Sequence, residues 1–226
     1  MGLREARRSR VRFQLIGGHI AIDLANMLDH RPSGRPKELL PTYADLAAWS
    51  EETGVLSRAV TRRLLRQAAR RPAAARRALG AARGVREALH ALFSAAARGE
   101  AIPAGPLAAL NARLGPALAR ARVVRGRRGP EWGWERDDTL DAMLPPVLRA
   151  AGELLDGARP GAIRECASER CRWLFLDESP TARRRWCSMA ICGNRAKVRR
   201  HYSRRRTTGA NNASAERRHE SSRVRS

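Results

Sequence analysis

Cys166-Ala-Ser-Glu-Arg-Cys171 and Cys187-Ser-Met-Ala-Ile-Cys192 decide how this chain is organised. They hold all four cysteines of the protein, with four residues inside each pair and fifteen between the pairs. Two short pairs separated by enough chain for a hairpin suit a tetrahedral zinc site. Each pair grips the metal from one turn, and the chain between folds back to close the shell. Trp173 to Asp177 reads as a strand, Glu178-Ser179-Pro180-Thr181 as a turn, and Arg183 to Trp186 as the returning strand. Three other readings compete. Two disulfides need an oxidising compartment. A redox pair usually takes the closer C-x-x-C spacing. Inert buried thiols have no reason to fall in matched pairs. With Cys166, Cys171, Cys187 and Cys192 as ligands the shell is closed, so a zinc here is structural and not catalytic.

Downstream, Gly193 permits a tight turn and Asn194 reads as the N-cap of a helix running to about Arg206. Ten Arg or Lys residues lie between Pro180 and Arg206, with no acidic residue among them. Arg195, Arg199 and Tyr202 share one helical face, as do Lys197, Arg200 and Arg204. Knuckle, hairpin and helix together make a small treble-clef-like unit. A short basic helix anchored in this way can lie in a DNA major groove or along phosphates, because the arginine fork binds a guanine edge or a phosphate with two hydrogen bonds. A solvated basic segment is the alternative. The expected contacts are Arg195, Lys197, Arg199, Arg200 and Arg204.

Upstream, the chain reads as helical. Of its 226 residues 45 are Lys or Arg and 22 Asp or Glu, for a formal charge of +23. Such an excess favours polyanions. No stretch reaches the roughly eighteen apolar residues of a membrane span, and no apolar segment follows the basic N-terminus, so the reading is cytoplasmic. Residues 1–11 form a disordered basic arm, and Phe13 to Ile16 a short extended segment. A helix follows from His19. On it His19, Asp23 and Asn26 recur at i, i+4 and i+7, and either line a pocket or satisfy groups nearby. Arg86, on a later helix, is a candidate partner for Asp23. Thr42 is placed to cap a helix from Tyr43 to about Thr53. Further helices are expected over 56–71, 73–98, 103–120 and 138–155. A β-hairpin is expected from 121–124 and 131–135, its Trp132 and Trp134 packed in the core. The boundary is placed at 157–161, a Gly/Pro linker. The domains are then 12–156 and 162–206, with a disordered tail over 207–226.

Arg184-Arg185-Trp186-Cys187-Ser188-Met189, with Cys192-Gly193-Asn194-Arg195 and Lys197, resembles the CGNR zinc finger. Cys166, Cys171, Trp173, Phe175, Asp177 and Ser179 fit the same pattern. Residues 13–30, Phe-Gln-Leu-Ile-Gly-Gly-His-Ile-Ala-Ile-Asp-Leu-Ala-Asn-Met-Leu-Asp-His, resemble the start of the ABATE domain that usually precedes this finger, with Asn26-Met27 where the family often has Asn-Thr. The resemblance spans about 12–205. It implies four cysteine ligands for zinc, a finger that binds DNA, a role in stress-induced transcription regulation, and no catalytic residues.

The sequence therefore predicts a mainly α protein with a small β-hairpin, a helical N-terminal domain and a C-terminal treble-clef-like zinc finger. The expected activity is zinc-dependent DNA binding by a non-enzymatic regulator, whose N-terminal domain senses a small-molecule effector or forms a homodimer. An RNA-binding or protein-interaction zinc module is the alternative. A small-molecule enzyme built on His19, Asp23 and Asn26 ranks lower, since no nucleophile–base set or phosphate loop accompanies them.

Overall fold

Local capping chemistry starts and stops the helices where the sequence changes character. The computed structural model describes residues 13–126, 129–135, 138–157, 161–200 and 202. The arm expected over 1–11, Arg204 and the tail expected over 207–226 lie outside the described residues. Helix α1 (Ile20–Ala25) begins at His19, whose ring accepts the Ala21 N–H. Leu28–Asp29 (β1) and Lys37–Glu38 (β2) pair across a short 3₁₀ turn, Arg31–Ser33. Thr42 and Asp45 then cap one another. The Thr42 hydroxyl accepts from the Asp45 N–H at 3.3 Å, and the Thr42 N–H donates to the Asp45 carboxylate at 2.9 Å. This starts α2 (Tyr43–Glu52). Ser57 caps α3 (Arg58–Arg70).

The longest helix, α4 (Pro72–Arg98), carries Pro72 in its first turn, where no N–H is needed, and stops at Gly99 in the left-handed conformation. Ala75, Ala78, Leu79, Ala82, Val85, Leu89, Leu92 and Phe93 form its buried stripe at helical spacing. It is the spine of the helical region, in contact with α1, α2, α3 and α5 (Ala104–Leu118). Each fully buried Leu or Phe contributes about 1.5–3 kcal/mol.

Two expectations are corrected here. The helix expected over 138–155 is α6 (Leu144–Gly157). Pro145 and Pro146 explain the late start: a proline is tolerated in a first turn but not in a helix interior, so 138–143 is turn. The hairpin forms as expected, β3 (Ala121–Gly126) against β4 (Gly129–Trp134), with Val123 opposite Trp132. It is not core, however. Val123 is 67% and Trp132 52% exposed, and the Trp132 ring is covered by the Arg149 guanidinium at 4.7 Å from its centroid. A two-stranded ribbon has no further layer to bury its outer end. The ring finds a cation on α6 instead.

By packing, the chain divides into a unit ending at Cys187 and a second beginning at Ser188. Strands β5 (Ile163–Glu165) and β6 (Leu174–Leu176) belong to the first, and Ile163 and Leu174 join the apolar core of the helices. In the second unit a wide π-turn, Met189–Gly193, leads directly into helix α7, residues 194–200, with Tyr202 also helical. The fold is mainly α with small two-stranded sheets. Among the described residues no helix is long and apolar enough to cross a membrane.

Candidate metal centre and basic helix

The first cysteine pair sits on the tip of the β5–β6 hairpin. Ile163 lies opposite Leu176, and Glu165 opposite Leu174. The ladder continues as Cys166 N–H to Trp173 C=O at 2.8 Å. A tight reversal follows, with the Cys171 and Arg172 N–H groups both on the Ser168 carbonyl and Arg172 in the left-handed region. Cys166 and Cys171 thus come side by side. The sequence expectation placed the hairpin one step later, with 173–177 pairing to 183–186. The structure corrects this: β6 pairs backward with β5, and 183–186 is not a strand. The reason is Asp177. Its buried carboxylate accepts from the Ser179 hydroxyl at 2.6 Å and from the N–H groups of Ser179 and Arg184. Those bonds, the Ser179 hydroxyl foremost, hold its pKa below the ordinary carboxylate range. They wind 178–184 into a loop that cannot lie alongside β6.

Arg184 then fixes the approach to the second pair. Its guanidinium stacks over the Phe175 ring at 4.5 Å and donates to the carbonyls of Trp186 and Cys187. The Ala167 N–H bonds the Arg185 carbonyl at 2.9 Å, tying the loop to the first pair.

In the second unit Ser188 is the cap. Its hydroxyl accepts from Ile191 N–H, and its carbonyl takes the N–H groups of Cys192 and Gly193. The expected cap, Asn194, is already helical and donates from its side chain to the Ala190 carbonyl at 3.2 Å. A Ser four residues ahead of a knuckle cysteine carries a cap signal that Asn194 obscured in the sequence. Gly193 also serves differently from the expectation. Its φ is not in the left-handed region; a Cβ there would collide with the Met189 side chain.

The ligand atoms of Cys166, Cys171, Cys187 and Cys192 all lie within 4.8 Å of one another, and none of the four is in a disulfide. Cys171 Sγ and Cys187 Sγ are 3.6 Å apart. A tetrahedral zinc with sulfur ligands has S···S edges of roughly 3.8 Å, so the donor set fits the ion. Three of the sulfurs are on buried residues and that of Cys171 is half-buried. Packed this closely, the thiols compete for charge. Hydrogen bonds from Cys171 and Cys187 hold Cys166 far below the ordinary thiol range, and the same bonds push Cys171 and Cys187 above it. A divalent cation removes that conflict, because a coordinated thiol gives up its proton. The four cysteines form a metal-binding cluster, and four thiolates would fill a tetrahedral shell.

The predicted contact residues on α7 are described up to Arg200. Arg195, Lys197, Arg199 and Arg200 are all exposed, and no acid lies near them in sequence.

The four N-terminal polar residues expected to line a pocket have these partners. His19 caps α1. Asp23 is buried and accepts the Gly17 N–H at 2.8 Å, and burial pushes its carboxyl up to about 6. The Asn26 side chain behaves like a piece of strand: its Nδ2 donates to the Leu174 carbonyl and its Oδ1 accepts the Leu174 N–H, both at 2.9 Å. Arg86 does not pair with Asp23. It donates to the Met27 carbonyl and to the carboxylates of Glu38 and Glu87, at 2.6 and 2.8 Å. Two further contacts escaped the sequence reading. The Gly17 carbonyl accepts the Leu176 N–H, and Asp29 accepts the Trp173 indole N–H at 2.9 Å. Gly17 and Asn26 thus grip β6, and Asp29 the Trp173 just before it, 148 residues away in the case of Asn26. A polar residue paired with main chain so remote leaves no mark in single-sequence periodicity.

Comparison with protein families finds two matches. Residues 162–205 match the CGNR zinc finger. Residues 18–158 match the ABATE family, described as "Putative stress-induced transcription regulator". No curated protein matches the chain. With its helical region matched almost end to end and the finger following directly, the chain belongs to the ABATE family and carries a CGNR zinc finger.

Proposed function

We propose that this protein is a zinc-dependent DNA-binding transcription regulator whose contact surface is α7. One observation carries the reading: four exposed cations, Arg195, Lys197, Arg199 and Arg200, on a helix that begins at the metal centre's own turn. A helix started by a metal ligand and a Ser cap is held in one conformation before it meets its partner, which lowers the ordering cost of binding. Arginine forks then supply phosphate and guanine contacts. Zinc is the proposed ion, since four thiolates at tetrahedral spacing suit it. The four-thiolate cluster and the bonds that already engage His19, Asp23, Asn26 and Arg86 favour binding over catalysis. The helical region is the proposed seat of effector sensing or homodimerisation, and the cytoplasm the proposed compartment.

The test is a salt titration of binding to duplex DNA. Replacing Arg199 and Arg200 together by Ala should weaken binding and lower the slope of log K against log salt by about 2, near 0.9 for each phosphate no longer neutralised. An unchanged slope removes α7 as the contact surface. Binding that prefers structured RNA over every duplex DNA supports the RNA reading instead.

A further inference from the structure

The contact helix is not uniformly polar. Arg195, Val198, Arg199 and Tyr202 fall at i, i+3, i+4 and i+7 and share one face. On that face Val198 is 55% and Tyr202 63% exposed. Valine is a mediocre helix former, and a solvated helix surface gives it nothing to pack on. Its position is unusual in a second way: the exposed guanidinium-bearing Arg195 and Arg199 share that face with the apolar surface. An apolar protein groove would have to desolvate those cations along with the valine. A DNA major groove would not, because its phosphates take the cations while its floor offers one apolar group, the C5 methyl of thymine.

We propose that α7 reads thymine through Val198: the isopropyl group contacts a thymine methyl while Arg195 and Arg199 hold the helix to flanking phosphates or base edges. This rests on α7 being the DNA-contact helix and deepens that reading. It also separates DNA from RNA. Uracil has no such methyl, and the A-form major groove is too deep and narrow to admit a helix.

The experiment compares the full-length, metal-loaded protein on alternating poly(dA-dT) and poly(dA-dU) duplexes of equal length, by fluorescence anisotropy over a range of salt. The wild type should bind the dU duplex about fourfold more weakly for each methyl contacted, the worth of one buried methyl, with the same salt slope on both. Val198→Ala should bring the two affinities together and leave the slope alone; being a change at an exposed position, it should keep its bound metal and helicity. Arg199→Ala should lower the slope and keep the preference for thymine. Equal binding of wild type to the two duplexes overturns the thymine contact while DNA binding stands. A preference that survives Val198→Ala overturns it too, assigning the effect to duplex shape. Failure to bind either duplex overturns the DNA-binding reading and this inference with it.

Discussion

The helical region and the cysteine-bearing segment after it are held together by different means. Over 20–157 the chain buries a continuous core from α1 to α6, with Trp49, Phe93, Ile22, Leu24, Leu46, Leu64, Leu89 and Leu92 fully enclosed. Between 163 and 187 the buried apolar residues besides the cysteines are few: Ile163, Trp173, Leu174 and Phe175. The remainder is directed bonding, with three donors on Asp177, Arg184 on two carbonyls, and sulfur aimed at one point. A segment this short cannot offset its chain entropy by burial. It depends on bonds that are strong one by one and fail one by one.

Removing the metal should divide the two most sharply. A closed four-thiolate zinc site, the state proposed for this cluster, supplies on the order of 10 kcal/mol to the segment that folds around it. Treatment with a chelator, or Cys187→Ser, should therefore collapse the order of 178–187 and shift the emission of Trp186. Most of the far-UV helical signal should remain, because α1 to α6 do not draw on the site. Loss of that whole signal in one transition with the metal would show the two regions to be a single cooperative unit.

The next prediction addresses the seam. The segment around β6 is bonded directly to the helical region's first residues, with Gly17 on Leu176, Asn26 on Leu174 and Asp29 on the Trp173 indole just before the strand. Asn26→Ala leaves both the N–H and the C=O of buried Leu174 without their partner. Each unmade bond of that kind costs about 1–3 kcal/mol, so the variant should lose roughly 2–5 kcal/mol in urea unfolding. A loss below about 1 kcal/mol, the low end of that range, would mean that β6 holds its place by apolar packing alone.

The same contrast explains what could be read in the sequence. The helical region is legible because its signals are local. Thr42 with Asp45, Pro72, Gly99 and the spacing along α4 each act within a few residues of where they appear. The four cysteines are legible because metal geometry limits their spacing. What escaped was set by partners remote in sequence or by the absence of one. Nothing near His19–Asp23–Asn26 in the sequence says that Leu174 arrives from the far end of the chain to bond Asn26. The 173–177 strand looks for its mate downstream until Asp177 bends that stretch away. Trp132 reads as core because alternation cannot say whether a further layer exists to cover it.

Asp23 gives the smallest and most discriminating effect. Burial raises its carboxyl from 3.8 to about 6, against the opposing hydrogen bond from Gly17. The folded protein then binds this proton more tightly than the unfolded chain. Stability from Asp23 is full below about pH 4 and is lost as pH rises through 6, by on the order of 2–3 kcal/mol. His90 works against it. Burial first, then Arg31, lowers its pKa to about 4, so it stays neutral in the fold and its contribution is lost as pH falls from 6.5. The two slopes oppose each other over the same window, and the native profile should be nearly flat there. Asp23→Asn keeps an acceptor for the Gly17 N–H but cannot titrate. Its urea midpoint should exceed the native one at about pH 7 and approach it near pH 4.5, so that stability of the variant climbs with pH. An equal shift at both pH values would mean that the carboxyl is already ionised throughout. The grip of Gly17 on Leu176 would then be insensitive to protonation one turn away.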